Sequence, residues 1–191
     1  MNLLHYLDIH FNAAFPDFNS FPVSLHEKTF KKGQVITNYG QVERKLYFIN
    51  SGFVELTMLH EGEERIIEFF FEDSFVCAFT SFLRQEPSDV RVTALSECKT
   101  EMIGYNDLQR AYSTSLIANQ LGRVLTEEIY ILKTKREKDF LTKTAQERYM
   151  DLVRKRPNVV QFIPVNKIAK YLGILPESLS RIRRLSISNI G

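Results

Sequence analysis

The stretch from Ile163 to Leu185, reading IPVNKIAKYLGILPESLSRIRRL, constrains this chain more tightly than any other. Ile168, Ala169 and Leu172 recur at helical spacing, Gly173 breaks the run, and Pro176 stands where a second helix can begin. Two short helices packed across a tight turn need a small residue on the first helix, a glycine at the turn, and an apolar inner face on both. Ala169, Gly173 and the set Ile174, Leu179 and Ile182 supply these. The second helix also carries Glu177, Ser178, Ser180, Arg181, Arg183 and Arg184, which leaves an outer face able to meet base-pair edges. The pattern predicts a helix-turn-helix. Leu175 offers no capping oxygen at the start of its second helix, a cost of about 1 kcal/mol that Pro176 partly offsets.

Charge is divided along the chain. From Lys133 to Gly191 there are 14 Lys/Arg against 5 Asp/Glu, net +9, whereas Met1 to Leu132 carries 11 against 18, net −7. A basic C-terminal part is the electrostatic footprint of a polyanion partner. With 44% hydrophobic and 12% aromatic residues in 191, the chain has ample material for a core, so a folded protein is the expectation and disorder is not the default reading. Its longest apolar runs are far too short to cross a bilayer, and His5, Asp8 and His10 interrupt any opening leader, so a cytoplasmic protein without membrane contact is expected. Cys77 and Cys98 lack CxxC spacing and read as buried thiols, and the four histidines are scattered, so no metal site is expected. No nucleophile–base set, phosphate-binding glycine loop or informative carboxylate pair points to an enzyme.

The opening residues Leu3, Leu4, Leu7, Phe11, Ala14, Phe15 and Phe18 predict an amphipathic helix ending near Pro16. From Lys28 to Gly104 the texture changes to short alternating runs. Ser51-Gly52 and Glu61-Gly62 separate such runs as hairpin turns. Further strands are predicted at Phe75–Phe79, Val90–Leu95 and Thr100–Gly104, about eight in all, which defines a double-sheet roll or sandwich. A helix begins near Asp107. The next, Leu116 to about Phe140, is the longest periodic stretch, roughly 37 Å, longer than one small roll can cover. Part of its face, with Ile117, Leu121, Val124, Leu125, Glu128 and Leu132, is therefore expected to meet a second copy as a coiled-coil seam. Thr144-Ala-Gln-Glu147 has capping-box spacing and opens a helix from Ala145 to Arg156. Val159–Ile163 is expected as a short strand or connector.

The order roll, long helix, helix-turn-helix resembles a transcriptional regulator of the Crp/Fnr family. The matching residues are Gly33-Gln34, Leu46 to Ile49 with Ser51-Gly52, Ser74-Phe75-Val76, Ala94-Leu95, Glu147-Arg148-Tyr149 and Ile168 to Arg184, strongest in LGILPESLSRIRR. The resemblance implies an α+β chain: a cyclic-nucleotide-binding-like jelly roll as sensor domain (1–114), a dimerisation helix (115–141) and a DNA-binding domain (142–191). It implies a homodimer on a roughly palindromic operator, with RNA polymerase a further partner. By position it makes Glu177, Ser178 and Arg181 base readers, and Arg181 can donate two bonds to guanine while Glu177 accepts from cytosine. Lys167, Lys170, Arg183 and Arg184 are cast as phosphate contacts. Where many relatives have another reading arginine, this chain has Pro176, which implies a different operator.

The effector positions depart from the family pattern. The Gly-Glu pair that binds the cyclic AMP ribose is Cys77-Ala78 here, in a motif opened by Ser74, and the phosphate-binding Arg-Ser pair is Ser88-Asp89. Alanine accepts no hydrogen bond, aspartate repels phosphate, and Arg91 lies two positions further on. Cyclic AMP binding in the usual way is not expected, and any effector is an unidentified small molecule. No cysteine precedes Cys77, so no iron–sulfur cluster is expected. Only Ser186 to Gly191 follow the reading helix, which predicts a truncated or absent wing. A sequence-specific, homodimeric transcription regulator is the expectation. The alternative is a ligand-sensing, protein-interacting module with weak or lost DNA binding.

Overall fold

Among the described residues the alternating runs form eight strands in two sheets. The computed structural model describes residues 1–11, 23–157 and 159–188, without the side chains of 10, 11 and 186–188. The predicted helical residues Ala14, Phe15 and Phe18, and the chain end at 189–191, lie outside the described residues.

One sheet has the order β1 (His26–Phe30), β8 (Cys98–Gly104), β3 (Lys45–Ser51), β6 (Phe75–Val76). The other has the order β2 (Val35–Thr37), β7 (Val90–Ala94), β4 (Val54–His60), β5 (Glu63–Phe70). All pairings are antiparallel, with Tyr47 opposite Met102 and Thr57 opposite Ile66. Of the two predicted hairpins only the second forms: Glu61-Gly62 joins the paired strands β4 and β5, whereas Ser51-Gly52 carries the chain from β3 in one sheet to β4 in the other, because these strands pair with different neighbours. Gly52 has φ +93°, and Glu61 and Gly62 have φ 53° and 78°, the paired positive values of a tight two-residue turn.

Period-two alternation sorts the side chains. Phe30, Tyr47, Ile49, Val54, Val76, Val92, Ala94 and Cys98 form one core drawn from both sheets. Phe48, between Tyr47 and Ile49, points the other way into a second core with Leu3 and Leu7 of α1 (Leu3–Phe11) and Phe82 of α2 (Phe79–Arg84). Leu108 of α3 (Tyr105–Thr114) and Leu121 of α4 (Leu116–Thr142) complete it. Both cysteines are buried free thiols. Burial pushes the Cys98 thiol up, so it stays protonated and donates to the Phe53 carbonyl at 3.3 Å.

Two further expectations are corrected. The strand predicted for Phe75–Phe79 ends at Val76, and Phe79 opens α2, which closes at Gln85 in the left-handed conformation. An apolar run of this length suits strand or helix equally, and burial of Ser81 and Phe82 on a helical face decides it. The segment from Val159 is the short helix α6 (Val159–Phe162) and not a strand. A strand there would need a paired neighbour, and all eight strands among the described residues lie before Tyr105.

The 27 residues of α4 make a helix of about 40 Å. The chain separates into two compact units, Met1–Leu125 and Thr126–Gly191, with the boundary inside this helix. In the second unit α5 (Ala145–Lys155) starts on the predicted capping box: Thr144 Oγ1 accepts from the Glu147 amide at 3.2 Å and Glu147 Oε2 accepts from the Thr144 amide at 2.8 Å. Lys143, just before it, reaches Asp139 at 2.8 Å and Asp151 at 2.5 Å, and these bonds hold both carboxyls below the ordinary carboxylate range. Among the described residues, no helix is long and apolar enough to cross a membrane.

Candidate functional site

The helix-turn-helix forms as its spacing requires. Ile168, Ala169 and Leu172 of α7 (Val165–Leu172) are buried, as is Leu179 of α8 (Pro176–Ser188), with Ile182 half-buried beside it. Gly173 adopts φ 71°, and its N–H bonds back to the Ala169 and Lys170 carbonyls. A side chain at this φ is strained, which is why the turn takes glycine. Pro176 is the first residue of α8, and the Leu175 carbonyl accepts from the Leu179 amide at 3.1 Å.

The buried face of α8 fixes the open one. At 100° per residue, Glu177, Arg181 and Arg184 stand opposite Leu179, four and three residues apart along one stripe, and all three are exposed. Ser180 flanks this stripe and is exposed, whereas Ser178 is half-buried at its edge. Arg183 turns toward the packed side and is half-buried. The structure thus puts Glu177, Ser180, Arg181 and Arg184 on one exposed face of α8, with Ser178 at its edge and Arg183 away from it. On α7, Lys170 is exposed and Lys167 half-buried.

The six residues assigned to the dimer seam divide. Leu121 is 3% exposed within its own unit, and Ile117, Val124 and Leu125 pack partly on the same core. Glu128 and Leu132 are open, with Leu132 at 66%. Tyr130 and Ile131 are equally open.

In the roll, Cys77 and Ala78 are buried and Ser74 is half-buried. The Ser88 hydroxyl is taken up by its own loop, donating to the Val90 carbonyl at 2.8 Å and accepting from the Val90 amide at 3.1 Å. Asp89 is exposed. Arg91 is not in the roll's interior: on β7 it alternates with the core residues Val92 and Val90, and so it faces away. There its guanidinium pairs with Glu64 and stacks 5.2 Å from the Tyr39 ring. Glu43 and Glu55 are buried carboxylates of the roll; Glu43 accepts from the Thr37 hydroxyl, and from the Arg44 and Lys45 amides at 3.0 Å each. Burial, with Glu43 and Cys77 nearby, pushes the Tyr47 phenol well above its ordinary value.

Comparison with known proteins agrees with this architecture. Residues 27–115 match the family described as the cyclic nucleotide-binding domain. FixK2 from Bradyrhizobium japonicum is similar in structure, with TM-score 0.69 and 17% identity over 87% of this chain and 86% of that one. A Eubacterium rectale protein described as a transcriptional regulator of the Crp/Fnr family gives TM-score 0.69 and 17% identity over 86% and 80%. A CooA variant from Carboxydothermus hydrogenoformans gives 0.68 and 15% over 100% and 86%. No curated protein matches the sequence. The fold is that of the Crp/Fnr regulators: a two-sheet nucleotide-binding-type roll, a long helix and C-terminal helices.

Proposed function

We propose that this chain is a sequence-specific DNA-binding transcription regulator acting as a homodimer. The observation that carries the reading is the exposed stripe Glu177, Ser180, Arg181 and Arg184 on α8, opposite a buried apolar face. That stripe combines acceptor, hydroxyl and guanidinium groups, the chemistry that distinguishes base pairs in the major groove. Lys167 and Lys170 serve as phosphate contacts that hold register. The likeness to Crp/Fnr-type regulators supports the same reading.

Selection from a randomised duplex library is expected to yield a roughly palindromic site with half-site centres about 34 Å apart. Arg181→Ala should weaken binding to the selected duplex by roughly ten- to a hundredfold and relax preference at one base pair, whereas Lys170→Ala should weaken all sequences alike and lower the salt slope by about one. Wild-type protein that enriches no sequence would sink the proposal.

The roll is proposed not to take cyclic AMP through the family's phosphate-binding arrangement. Ala78 supplies no carboxylate for a ribose hydroxyl, Ser88 is engaged with its own backbone, and Arg91 is paired with Glu64 outside the core. Titration calorimetry with cyclic AMP is expected to show no micromolar binding. Micromolar affinity that disappears in Arg91→Ala would overturn this.

A further inference from the structure

α7 ends in a problem that it cannot solve by itself. The last carbonyls of a helix have no partner within it, and the turn at Gly173 returns bonds to two of them: Gly173 N–H to Lys170 O at 3.2 Å and to Ala169 O, and Ile174 N–H to Ala169 O at 3.0 Å. The next two carbonyls are those of Tyr171 and Leu172. Two arginines from other helices take them. Arg136 of α4 donates through Nη2 to Tyr171 O at 3.4 Å, and Arg148 of α5 donates through Nη2 to Leu172 O at 3.0 Å. Arg148 also donates through Nη1 to Lys143 O at 2.6 Å, just beyond the end of α4.

Aromatic rings fix where these forks sit. Arg136 lies 4.1 Å from the Tyr171 ring and 5.1 Å from the Phe140 ring, and Arg148 lies 4.5 Å from the same Phe140 ring. Phe140 therefore contacts both guanidinium groups. It also abuts the turn, since a Cβ on Gly173 would stand 3.6 Å from Phe140 Cε1. Positive groups at the negative end of a helix dipole are favourable, and a planar guanidinium can stack and donate at once, which an ammonium cannot. The direction in which α8 leaves α7 is set at this turn.

We infer that Arg136 and Arg148 are positioning residues for the reading helix, closing the C-terminal end of α7 and thereby fixing the turn from which α8 departs. The inference rests on the proposal that α8 reads DNA. It adds that α4 reaches the reading module through a side chain as well as through its backbone.

The test compares wild type, Arg148→Lys and the double variant Arg136→Gln/Arg148→Gln. One arm measures the ratio of affinities for the selected duplex and a scrambled duplex. The other follows hydrogen exchange at the Gly173, Ile174 and Leu179 amides. In the double variant the ratio is expected to fall about tenfold, with scrambled-DNA affinity nearly unchanged. Exchange at the three amides should quicken about tenfold, with the melting temperature retained. Arg148→Lys, which keeps the charge but loses the fork, should fail to rescue either. Wild-type values in Arg148→Lys would overturn the inference, because charge alone would then suffice. Parallel loss of both affinities with a lowered melting temperature would also overturn it, since that marks local unfolding. If the wild type selects no sequence, the DNA-reading proposal fails, and the exchange arm still decides whether the arginines hold the turn.

Discussion

Gly52→Ala is expected to destabilise the first compact unit by about 3 kcal/mol or more, the largest stability effect of any single methyl addition considered for this chain. Two costs coincide at this residue. Its φ of +93° lies outside the region that a side chain tolerates, and a Cβ there would stand 2.3 Å from the Glu97 backbone oxygen and 2.8 Å from both Cys98 Sγ and Ser96 Oγ. The backbone oxygen cannot swing aside as a side-chain tip could. The surrounding corner is tied by Phe53 N–H to Ser96 Oγ at 3.1 Å and Leu95 N–H to Phe53 O at 2.9 Å, so the β3–β4 turn is held against the β7–β8 connection. Gly62→Ala provides the control. Its φ is +78°, yet nothing lies within 4 Å of an added Cβ, so only the conformational cost of about 1–2 kcal/mol applies. Urea denaturation should show a lower midpoint for both variants at unchanged slope, with the larger fall for Gly52→Ala. Equal falls would mean that the corner relaxes and that the close approach carries no energy.

Gly52 also illustrates how much could be read before the structure. A glycine between alternating runs announces a turn with positive φ, which local sterics alone demand, although it does not announce that the flanking strands pair, and those around Gly52 do not. Gly62, the Thr144–Glu147 capping box and Gly173 with Pro176 were legible for the same local reason, all features whose physics is contained within a few residues. The features that needed tertiary information were those in which local preference is balanced. Phe75–Phe79 could be strand or helix, and only the burial of Ser81 and Phe82 chose α2. The Val159 segment is rich in β-branched residues, but every strand of the fold is paired within the roll. Within α8, Glu177, Ser180, Arg181 and Arg184 were all named from the sequence, but that these four share one exposed face followed only once Leu179 fixed the phase of the buried one. Arg136 carried no sequence signal, and Arg148 stood only within the matching run Glu147-Arg148-Tyr149 with no role attached to it. Their partners are backbone carbonyls 35 and 24 positions away, and a carbonyl has no residue identity to read. Arg91 shows the converse: proximity in sequence to the effector motif suggested a role there, but strand alternation turned it outward.

Converting Ile131 and Leu132 together to aspartate is expected to leave a folded monomer that binds the selected operator roughly a hundred- to ten-thousandfold more weakly. The argument begins with what these side chains do within one chain, which is little: they are 63% and 66% exposed, so their loss removes almost no buried apolar area. Thermal unfolding should therefore hardly move. A helix of 27 residues that buries Ala118 and Leu121 in its first turns and then presents Tyr130, Ile131 and Leu132 to solvent has an apolar surface without a covering element in its own unit. Under the proposed function that surface meets its counterpart on a second copy, and Leu125, Glu128 and Leu132 repeat at coiled-coil spacing along it. Two reading helices joined in this way bind a palindrome with the second contact made intramolecular, and separation of the copies forfeits that gain in full. Sedimentation equilibrium gives the mass, and titration of the selected duplex gives the affinity. A variant that remains dimeric would place the seam on another face. A wild type that is monomeric at micromolar concentration would remove the homodimer from the proposal and leave α8 to read single half-sites.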